Sequence, residues 1–212
     1  MDISKIKSLP IDLQSFGFVT RETTNGQVLK NRCGRDFFYY VLNYYYPQKY
    51  NPKNLNPAEI ERTATFGIKL PAWLIWTGLS FYKIPKLFQT LDLTLEINNK
   101  KVETFFDFIQ ALLLIKPKPF DQSLAFIKNY VNEQKVCGID ISVSLGGLVD
   151  HVMFVYGYDD NNLYVFDTHQ VNKIRYEKIT AVSDDRFIMK LPFDEIRKRW
   201  SRFNRVWIIS KK

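Results

Sequence analysis

Residues 151–167 read His151-Val-Met-Phe-Val-Tyr-Gly157-Tyr-Asp-Asp-Asn-Asn-Leu163-Tyr-Val-Phe-Asp167. Two apolar runs flank a middle that is rich in turn formers, so the stretch predicts a β-hairpin. In a hairpin centred near Asp159, His151 would sit opposite Asp167, with both side chains on one face. Neighbouring strands lie about 4.8 Å apart, which allows a hydrogen bond between the carboxylate and the imidazole. A longer turn without a bulge would instead bring His151 opposite about Gln170, so two registers stay open.

A second informative stretch lies far upstream and reads Gln27-Val-Leu-Lys-Asn-Arg-Cys33-Gly34. The apolar residues that follow recur at helical spacing, which predicts an amphipathic helix from about Cys33 to Tyr45. Unpaired N–H groups at a helix N-terminus stabilise a thiolate and lower the pKa of a thiol placed there. The side-chain amide of Gln27, one loop away, is suited to donate to a developing oxyanion.

These four residues together predict nucleophilic catalysis. Cys33, as the thiolate, would attack a carbonyl carbon, and His151 would take the thiol proton and later protonate the leaving group. Asp167 would fix the tautomer of the imidazole and favour its charged form. Gln27 would donate its amide N–H to the tetrahedral oxyanion, helped by the backbone N–H of Cys33.

Each of these residues also has an ordinary structural interpretation. A single cysteine is commonly a small core residue, a single histidine is commonly structural, and Asp167 could simply end a strand. His169, two residues further on, is either a substitute base or a surface residue. Cys137 stands in an alternating apolar and polar run and is expected to be buried. The joint pattern favours catalysis, because a Cys at a helix start is combined with a His and an Asp at the two ends of one hairpin.

The composition is typical of a globular protein. The chain has 212 residues, of which 46% are hydrophobic, and it is expected to form a single domain over 1–212, with residues 1–25 as an extended lead-in that turns at Asn25-Gly26. Its two distant cysteines do not make a disulfide framework. Together with a start that lacks an apolar signal core, this favours a reducing cytoplasm. No run of about 18 uninterrupted apolar residues is present, so no membrane span is expected.

The net charge of +8 does not by itself identify a partner. Many of the positive residues near the C-terminus are expected to form a solvated helix face and a frayed tail, and the alternative is a surface for nucleic acid or anionic lipid. No nucleic-acid partner is expected, because no helix-turn-helix, zinc-finger or aromatic RNA-binding signature accompanies them. No His/Cys cluster has zinc-ligand spacing and no glycine-rich phosphate loop is present, so no metal and no organic cofactor are expected. The expected partner is a peptide or protein substrate. The positive residues in question are Lys190, Arg197, Lys198, Arg199, Arg202, Arg205, Lys211 and Lys212.

The hydrophobic periodicity is mostly helical in the first half and shifts toward two in the second half. This order predicts an α+β protein in which a helical N-terminal half packs on a largely antiparallel C-terminal sheet. Further helices are predicted from Pro57, from Pro71 to near Gly78, over about Val102–Ile115, over Asp121–Gln134 with Asp121 as N-cap, and over Pro192–Arg202. Strands are predicted at Leu91–Ile97, Val136–Ser144, His151–Tyr158, Leu163–Asp167, Lys173–Glu177, Arg186–Leu191 and Arg205–Ser210.

The arrangement resembles the papain-like cysteine peptidases. It is most similar to the branch that trims bacteriocin leaders after a double-glycine motif, and to the stand-alone relatives of that branch. The segment Gln27…Cys33-Gly34…Val41-Leu42-Asn43-Tyr44-Tyr45 looks like the first helix of the branch, and residues 151–167 look like its His–Asp hairpin. The closing helix and strand look like Leu191-Pro-Phe-Asp-Glu-Ile-Arg-Lys-Arg-Trp200 followed by Arg205-Val-Trp-Ile-Ile. The similarity spans roughly Gln27 to Ile209, and its middle third is carried by the order of elements.

The resemblance implies a papain-like cysteine proteinase fold. It also implies a thiol hydrolase that cleaves a peptide or isopeptide amide, with Cys33 as nucleophile, His151 as base, Asp167 as orienting acid and Gln27 as oxyanion donor. Two other functions fit the same residues. A papain-fold acyltransferase would deliver the acyl group to an amine or an alcohol, and a catalytically inactive peptidase-like domain would act as a binding module.

Three positions depart from the family pattern. Arg35-Asp36 follow Cys-Gly, where the family usually has a proline and a small residue. Thr168 follows the aspartate, where a proline is usual, and Asp150 precedes the histidine, where a small residue is usual. These departures leave the triad in place, but they do not carry over the substrate preference of the family.

Overall fold

A computed structural model describes residues 6–11, 23–24, 27–28, 33–50, 88, 90–144, 149–166, 177–183, 186–201 and 204–212. For some of them, including 27–28, 33–36 and 149–150, the backbone alone is described. Within these ranges the chain is a mixed α+β protein, and all of its described strand pairs are antiparallel. No helix in the described ranges is long and apolar enough to cross a membrane.

The elements follow one another along the chain as strands with interspersed helices. The helices are α1 (Cys33–Tyr45), α2 (Phe105–Leu113), α3 (Phe120–Asn132) and α4 (Phe193–Arg199), counted over the described residues. The strands of the same ranges are β1 (Lys7–Ser8), β2 (Thr23–Thr24), β3 (Gln27–Val28), β4 (Leu93–Ile97), β5 (Lys100–Lys101), β6 (Val136–Ser144), β7 (Val149–Tyr158), β8 (Asn162–Phe166), β9 (Glu177–Ser183), β10 (Arg186–Pro192) and β11 (Arg205–Lys211).

One large sheet organises the described part of the protein. Its strand order is β5-β4-β11-β6-β7-β8-β10-β9, and β1 pairs with the far end of β7. β11 lies between β4 and β6 and hydrogen-bonds to both of them. β2 and β3 form a separate two-stranded hairpin.

Helices cover both faces of this sheet. On one face, which we call the α1 face, Phe37 and Tyr40 of α1 pack against Phe154, and α2 adds Phe108. On the opposite face, called the α3 face, Ile127 of α3 packs with buried residues of the central strands. The central strands therefore bury both of their faces, and their side chains alternate between two apolar cores. The α3-face cluster includes Cys137, Ile139, Ile141, Met153, Val155, Leu163 and Val165.

The predicted antiparallel α+β architecture is confirmed, as are the first helix at Cys33–Tyr45 and the strand at Val136–Ser144. The predicted helices at Pro57 and Pro71 lie outside the described residues. The first half also supplies β1, β4 and β5 to the main sheet, so it is less purely helical than predicted. The papain-like identity of the fold stays a prediction.

Local turn chemistry explains the boundaries that differ around β4 and α2. Asp92 has a positive φ of 54°, so β4 begins at Leu93 rather than Leu91. Asn98 and Asn99 also have positive φ values, which suit a two-residue turn and create the β4–β5 hairpin that the sequence analysis missed. Thr104 is the N-cap of α2 and forms a capping box with Asp107, so this helix starts at Phe105 rather than Val102.

The later elements agree with the predicted order and differ in detail. The N-cap of α3 is Pro119, and the predicted cap, Asp121, lies in the first turn and forms an ion pair with Arg197 at 2.8 Å. Of the strand predicted at Lys173–Glu177, residues 173–176 lie outside the described residues, and Glu177 is the first residue of β9, which continues to Ser183. The remaining strands and α4 lie within a few residues of their predicted positions.

Gly138 sets how closely α1 approaches the sheet. A Cβ atom at this position would lie 2.5 Å from Cζ and 2.6 Å from Cε2 of Phe37. The ring of Phe37 is itself held by Phe38 and Trp207, with ring centroids 5.3 and 6.2 Å away. The contact therefore requires a residue without a side chain on β6.

We expect Gly138→Ala to lower the free energy of unfolding by about 1 to 3 kcal/mol, because the added methyl group overlaps the ring of Phe37 where α1 packs on β6. Chemical denaturation followed by tryptophan fluorescence measures the change. The double variant Gly138→Ala with Phe37→Leu should lose less than the sum of the single losses, because the smaller side chain makes room for the methyl group. Additive losses would show that the two residues do not interact.

Candidate active site

Cys33 is the first residue of α1, as the sequence predicts. The first N–H groups of a helix have no partner within the helix and carry a partial positive charge. A nucleophilic side chain on the first residue of a helix is therefore attached to an electropositive part of the backbone. This placement is the property that a reactive thiol requires.

The direction of α1 is fixed by contacts along its length. At its C-terminal end, the hydroxyl of Tyr45 donates to the carbonyl of Ile209 at 2.6 Å and accepts from the N–H of Val136 at 3.2 Å. Toward its N-terminal end, Phe37 contacts Gly138. The helix thus runs antiparallel to β6, from the end where β6 finishes toward the end where β6 begins. Its N-terminus points to the end of the sheet at which β7 begins.

His151 is the third residue of β7 and lies at this same end of the sheet. It pairs with Ile141 of β6, and it is buried, with 4% of its surface exposed. Strand alternation places it on the side of Met153 and Val155, which belong to the α3 face. Its imidazole is therefore attached on the face opposite α1.

Starting from the contact between Phe37 and Phe154, both Cys33 and His151 lie toward the end of the sheet where β7 begins. The rings of Phe37 and Phe154 pack with centroids 6.3 Å apart. From Phe37, one helical turn of about 6 Å leads back to Cys33. From Phe154, three strand residues, or about 10 Å, lead back to His151. Cys33 and His151 therefore both lie toward this end of the sheet and belong to elements whose contacts place them on opposite faces.

Asp167 and the alternative base His169 lie outside the described residues, which stop at Phe166 in this part of the chain. The described register differs from the one that put His151 opposite Asp167. That register pairs Val152 with Phe166, whereas Phe154 is the observed partner of Phe166.

Both ends of the described hairpin explain this difference. The pairs next to the turn, Tyr158↔Leu163 and Gly157↔Tyr164, follow the longer-turn register, and a bulge before Gly157 then shifts the pairing by one residue. The total offset at Phe166 is two residues. Because two residues make one full side-chain period, this offset does not exchange the faces of the strand.

The turn of this hairpin is closed by Asp159. Its Oδ1 atom accepts hydrogen bonds from the backbone N–H groups of Asn161 and Asn162, both at 2.7 Å, and its Oδ2 atom accepts one from the hydroxyl of Tyr164 at 2.6 Å. Burial raises the pKa of Asp159, but these hydrogen bonds outweigh burial and hold the pKa below its ordinary value. The hairpin that carries His151 is thus anchored by an ionised carboxylate.

Gln27 opens β3, and its partner across the hairpin is Thr24. The turn predicted at Asn25-Gly26 lies outside the described residues. The role of Gln27 as oxyanion donor stays a prediction.

The second cysteine has a different environment. Cys137 is completely buried in the α3-face core, and burial raises the pKa of its thiol well above the ordinary value. The predicted packing role of Cys137 is confirmed. Among the described residues, no group of three or more His, Cys, Asp or Glu is arranged to hold a metal ion.

The positive residues near the C-terminus are only partly the exposed face that the sequence predicts. Arg197 pairs with Asp121 and Asp194, and Arg199 pairs with Glu195 at 2.9 Å. Arg205 was wrongly assigned to the surface, since it is 4% exposed. It lies opposite another buried charged residue, Asp140, on β6.

The burial of Asp140 and Arg205 was not predicted from the sequence. Asp140 alternates with the apolar residues Ile139 and Ile141, a pattern that is typical of a strand with one solvent-facing side. Both faces of β6 are in fact covered by helices, so the polar position is buried as well. If helices had been expected on both faces of β6, the charged residue Asp140 would have been expected to be buried.

No family model matches the chain, and no curated protein matches it significantly. The resemblance to papain-like peptidases therefore rests on the residues and motifs of this chain.

We expect Asp159→Ala to lower the free energy of unfolding at pH 7 by about 1 to 3 kcal/mol, because several hydrogen bonds to a charged group are lost. Since the pKa of Asp159 is lower in the folded than in the unfolded state, its stabilisation is present above the unfolded pKa of about 3.9 and is lost as the pH falls through the folded value.

The difference in free energy of unfolding between wild type and Asp159→Ala, measured by urea denaturation, should accordingly become smaller from pH 7 to pH 3. Asp159→Asn is the matched control, because it keeps an acceptor for the turn but removes the titrating carboxyl. A stability difference between wild type and Asp159→Ala that does not change with pH would show that the ionisation of Asp159 does not stabilise the hairpin.

Proposed function

We propose that the protein is a cysteine-dependent hydrolase of papain-like fold that cleaves a peptide or isopeptide amide. The observation that carries this proposal is the common placement of Cys33 and His151. Helix α1 begins at Cys33 and points to the end of the sheet where β7 begins, and His151 is the third residue of β7. The two residues are 118 positions apart in sequence, so the fold and not local spacing would bring them together.

The proposed reaction is acyl transfer to the thiol followed by transfer to water. The proton of the Cys33 thiol passes to His151, and the thiolate forms a C–S bond with the substrate carbonyl carbon. The tetrahedral oxyanion accepts hydrogen bonds from Gln27 and from the backbone N–H of Cys33. Collapse breaks the C–N bond, and the imidazolium gives its proton to the departing amine. Water, activated by the neutral imidazole, then releases the acid and restores the thiol.

The position of Asp167 in this scheme is that of an orienting group. A carboxylate that accepts a hydrogen bond from the distal ring nitrogen would hold the imidazole in one tautomer and stabilise its charged form. The burial of His151 makes such a partner necessary, because a buried imidazolium without a counter-charge is strongly disfavoured. We propose the cytoplasm as the location, since a thiol nucleophile works in its reduced form.

A catalytically inactive binding module is the second candidate. Two observations favour it: the imidazole of His151 is 4% exposed, and it is attached on the face opposite α1. A general base must reach the proton that it transfers, directly or through one water molecule. The two candidates differ in the reactivity of Cys33.

We expect iodoacetamide at pH 6 to alkylate Cys33 at least tenfold faster than an unperturbed thiol, because a lowered pKa increases the thiolate fraction. Peptide mapping by mass spectrometry measures labelling at each site. Cys137 is the internal control, since its burial and raised thiol pKa make it inert in the folded protein. Slow labelling of both cysteines would favour the binding module.

Gln27→Ala should reduce turnover about 100-fold while leaving the alkylation rate of Cys33 unchanged, because an oxyanion donor acts on the substrate and not on the thiol. An activity-based probe for cysteine hydrolases and a peptide-amide substrate give the two readouts. Cys33→Ala should keep the fold, measured by circular dichroism, and lose both signals. Full activity in Cys33→Ala would exclude the mechanism, whereas an amide product formed with added amine would identify an acyltransferase.

A further inference from the structure

The outer side of α2 carries the two large apolar side chains that are exposed within the described ranges. Phe106, in the first turn, is 76% exposed, and Leu114, at the C-cap, is 74% exposed. Gln110 lies between them and is also exposed. Residues four apart follow one line along a helix, so these three side chains form a single stripe, which we call the α2 stripe.

The packing of α2 keeps this stripe turned outward. On the opposite side of the helix, Phe108 and Ala111 are completely buried in the α1-face core, and the ring of Phe108 packs against Trp207 with centroids 5.9 Å apart. The capping box at Thr104 fixes the start of the helix. A rotation of α2 that buried the stripe would move Phe108 into water, so the exposure of the stripe is a property of the fold.

Lysines lie beside the α2 stripe and just beyond its end. Lys100 and Lys101 form β5, and the Nζ atom of Lys100 donates to Oε1 of Gln110 in the middle of the stripe. Lys116 and Lys118 follow the last residue of the stripe along the chain, and both are exposed. The stripe is thus accompanied by four positively charged side chains.

The two carboxylates of residues 100–118 are already engaged. Glu103 pairs with Lys101 at 2.6 Å, and Asp107 accepts a hydrogen bond from the backbone N–H of Thr104 at 3.0 Å as part of the capping box. Within the described residues, no carboxylate forms an ion pair with any of the other three lysines. The surroundings of the stripe therefore keep an excess of positive charge, which has the same sign as the net charge of +8 of the whole chain.

The size and shape of the α2 stripe favour a lipid surface over a protein partner. The 9 residues of α2 span only about 14 Å, whereas specific protein interfaces bury at least about 1,200 Å² in total. Two protruding side chains need a matching pocket on a protein, but they need none in a bilayer, where the apolar side chains of an amphipathic helix insert at the headgroup boundary. Anionic headgroups also complement the lysines around the stripe.

We propose that the α2 stripe is a peripheral docking site for an anionic lipid bilayer. Phe106 and Leu114 insert between the headgroups, and the lysines around the stripe bind the lipid phosphates. Gln110, which is hydrogen-bonded to Lys100, stays at the level of the headgroups. Docking is reversible, because two apolar side chains and a few positive charges give only weak membrane binding. This inference is independent of the proposed hydrolase, since it uses no residue of the candidate active site.

The test measures co-sedimentation of the full chain with two kinds of vesicle, made of phosphatidylcholine alone or of equal parts of phosphatidylcholine and phosphatidylglycerol. The wild type should bind the anionic vesicles at least tenfold more tightly than the neutral ones, because the lysines are attracted only by a charged surface. Added salt should reduce this difference, because it screens the charges.

The charge variants test the lysines around the stripe. Lys100→Gln combined with Lys116→Gln should weaken binding to the anionic vesicles about tenfold. Lys128→Gln combined with Lys198→Gln is the matched control, because it removes the same charge from α3 and α4 on the other face of the sheet. This control should bind nearly as tightly as the wild type.

The apolar variants test the stripe itself. Phe106→Ser combined with Leu114→Ser should weaken binding about tenfold without a change in net charge. Phe106→Leu combined with Leu114→Phe keeps both side chains apolar and should bind like the wild type. Circular dichroism measured during heating without vesicles shows which variants are folded. If the double serine variant is unfolded, Leu114→Ser alone decides, with weaker binding expected.

Several outcomes would overturn the proposal. These are no binding of the wild type to anionic vesicles, equal binding to both kinds of vesicle, and unchanged binding of the folded serine variant. If the wild type does not bind vesicles but forms a dimer that the serine variant abolishes in analytical ultracentrifugation, the stripe is an interface between two copies of the chain. Binding to a single-stranded oligonucleotide and not to vesicles would assign the lysines to nucleic acid, which also excludes the lipid surface.

Discussion

The close contact between Gly138 and Phe37 is the constraint on which the candidate site depends. It allows the backbone of β6 to reach the aromatic ring of α1, and the rings of Phe154 and Trp207 then enclose that ring from neighbouring strands. Tyr45 fixes the other end of the helix by hydrogen bonds to two strands. Because the Phe37–Gly138 contact holds one end of α1 and the hydrogen bonds of Tyr45 hold the other, the direction of the helix axis is fixed. The position of Cys33 follows from that axis.

The two faces of strand β7 pack against different helices. Toward α1 it supplies Phe154, which belongs to the seat of the helix, and toward α3 it supplies Met153 and Val155. His151 belongs to the second set, so the residue proposed as base shares its environment with an apolar core. The chemistry that we propose between this imidazole and a thiol on α1 would therefore be confined to the margin of the sheet.

The sequence predicts best those features that depend on local periodicity. The limits of α1 follow from the spacing of Phe37, Tyr40, Val41 and Tyr44, and the strands follow from alternation. Features that depend on backbone conformation or on tertiary contacts were missed. The β4–β5 hairpin depends on two asparagines with positive φ, and the burial of Asp140 and Arg205 depends on helices that cover both faces of the sheet. The hairpin register was offset because the turn is longer than in the centred hairpin, and a bulge in β7, which has no signal in the composition, then reduces that offset by one residue.

The place of β11 in the sheet has a consequence for biosynthesis. β4 and β6 are neighbours only through β11, which hydrogen-bonds to each of them. A ribosome adds roughly 5 to 20 residues per second, so β4 and β6 leave the exit tunnel several seconds before β11 does. During that interval β4 and β6 lack the strand that pairs with both of them in the folded protein. The edges of β4 and β6 that face each other are therefore closed only after β11 has been synthesised.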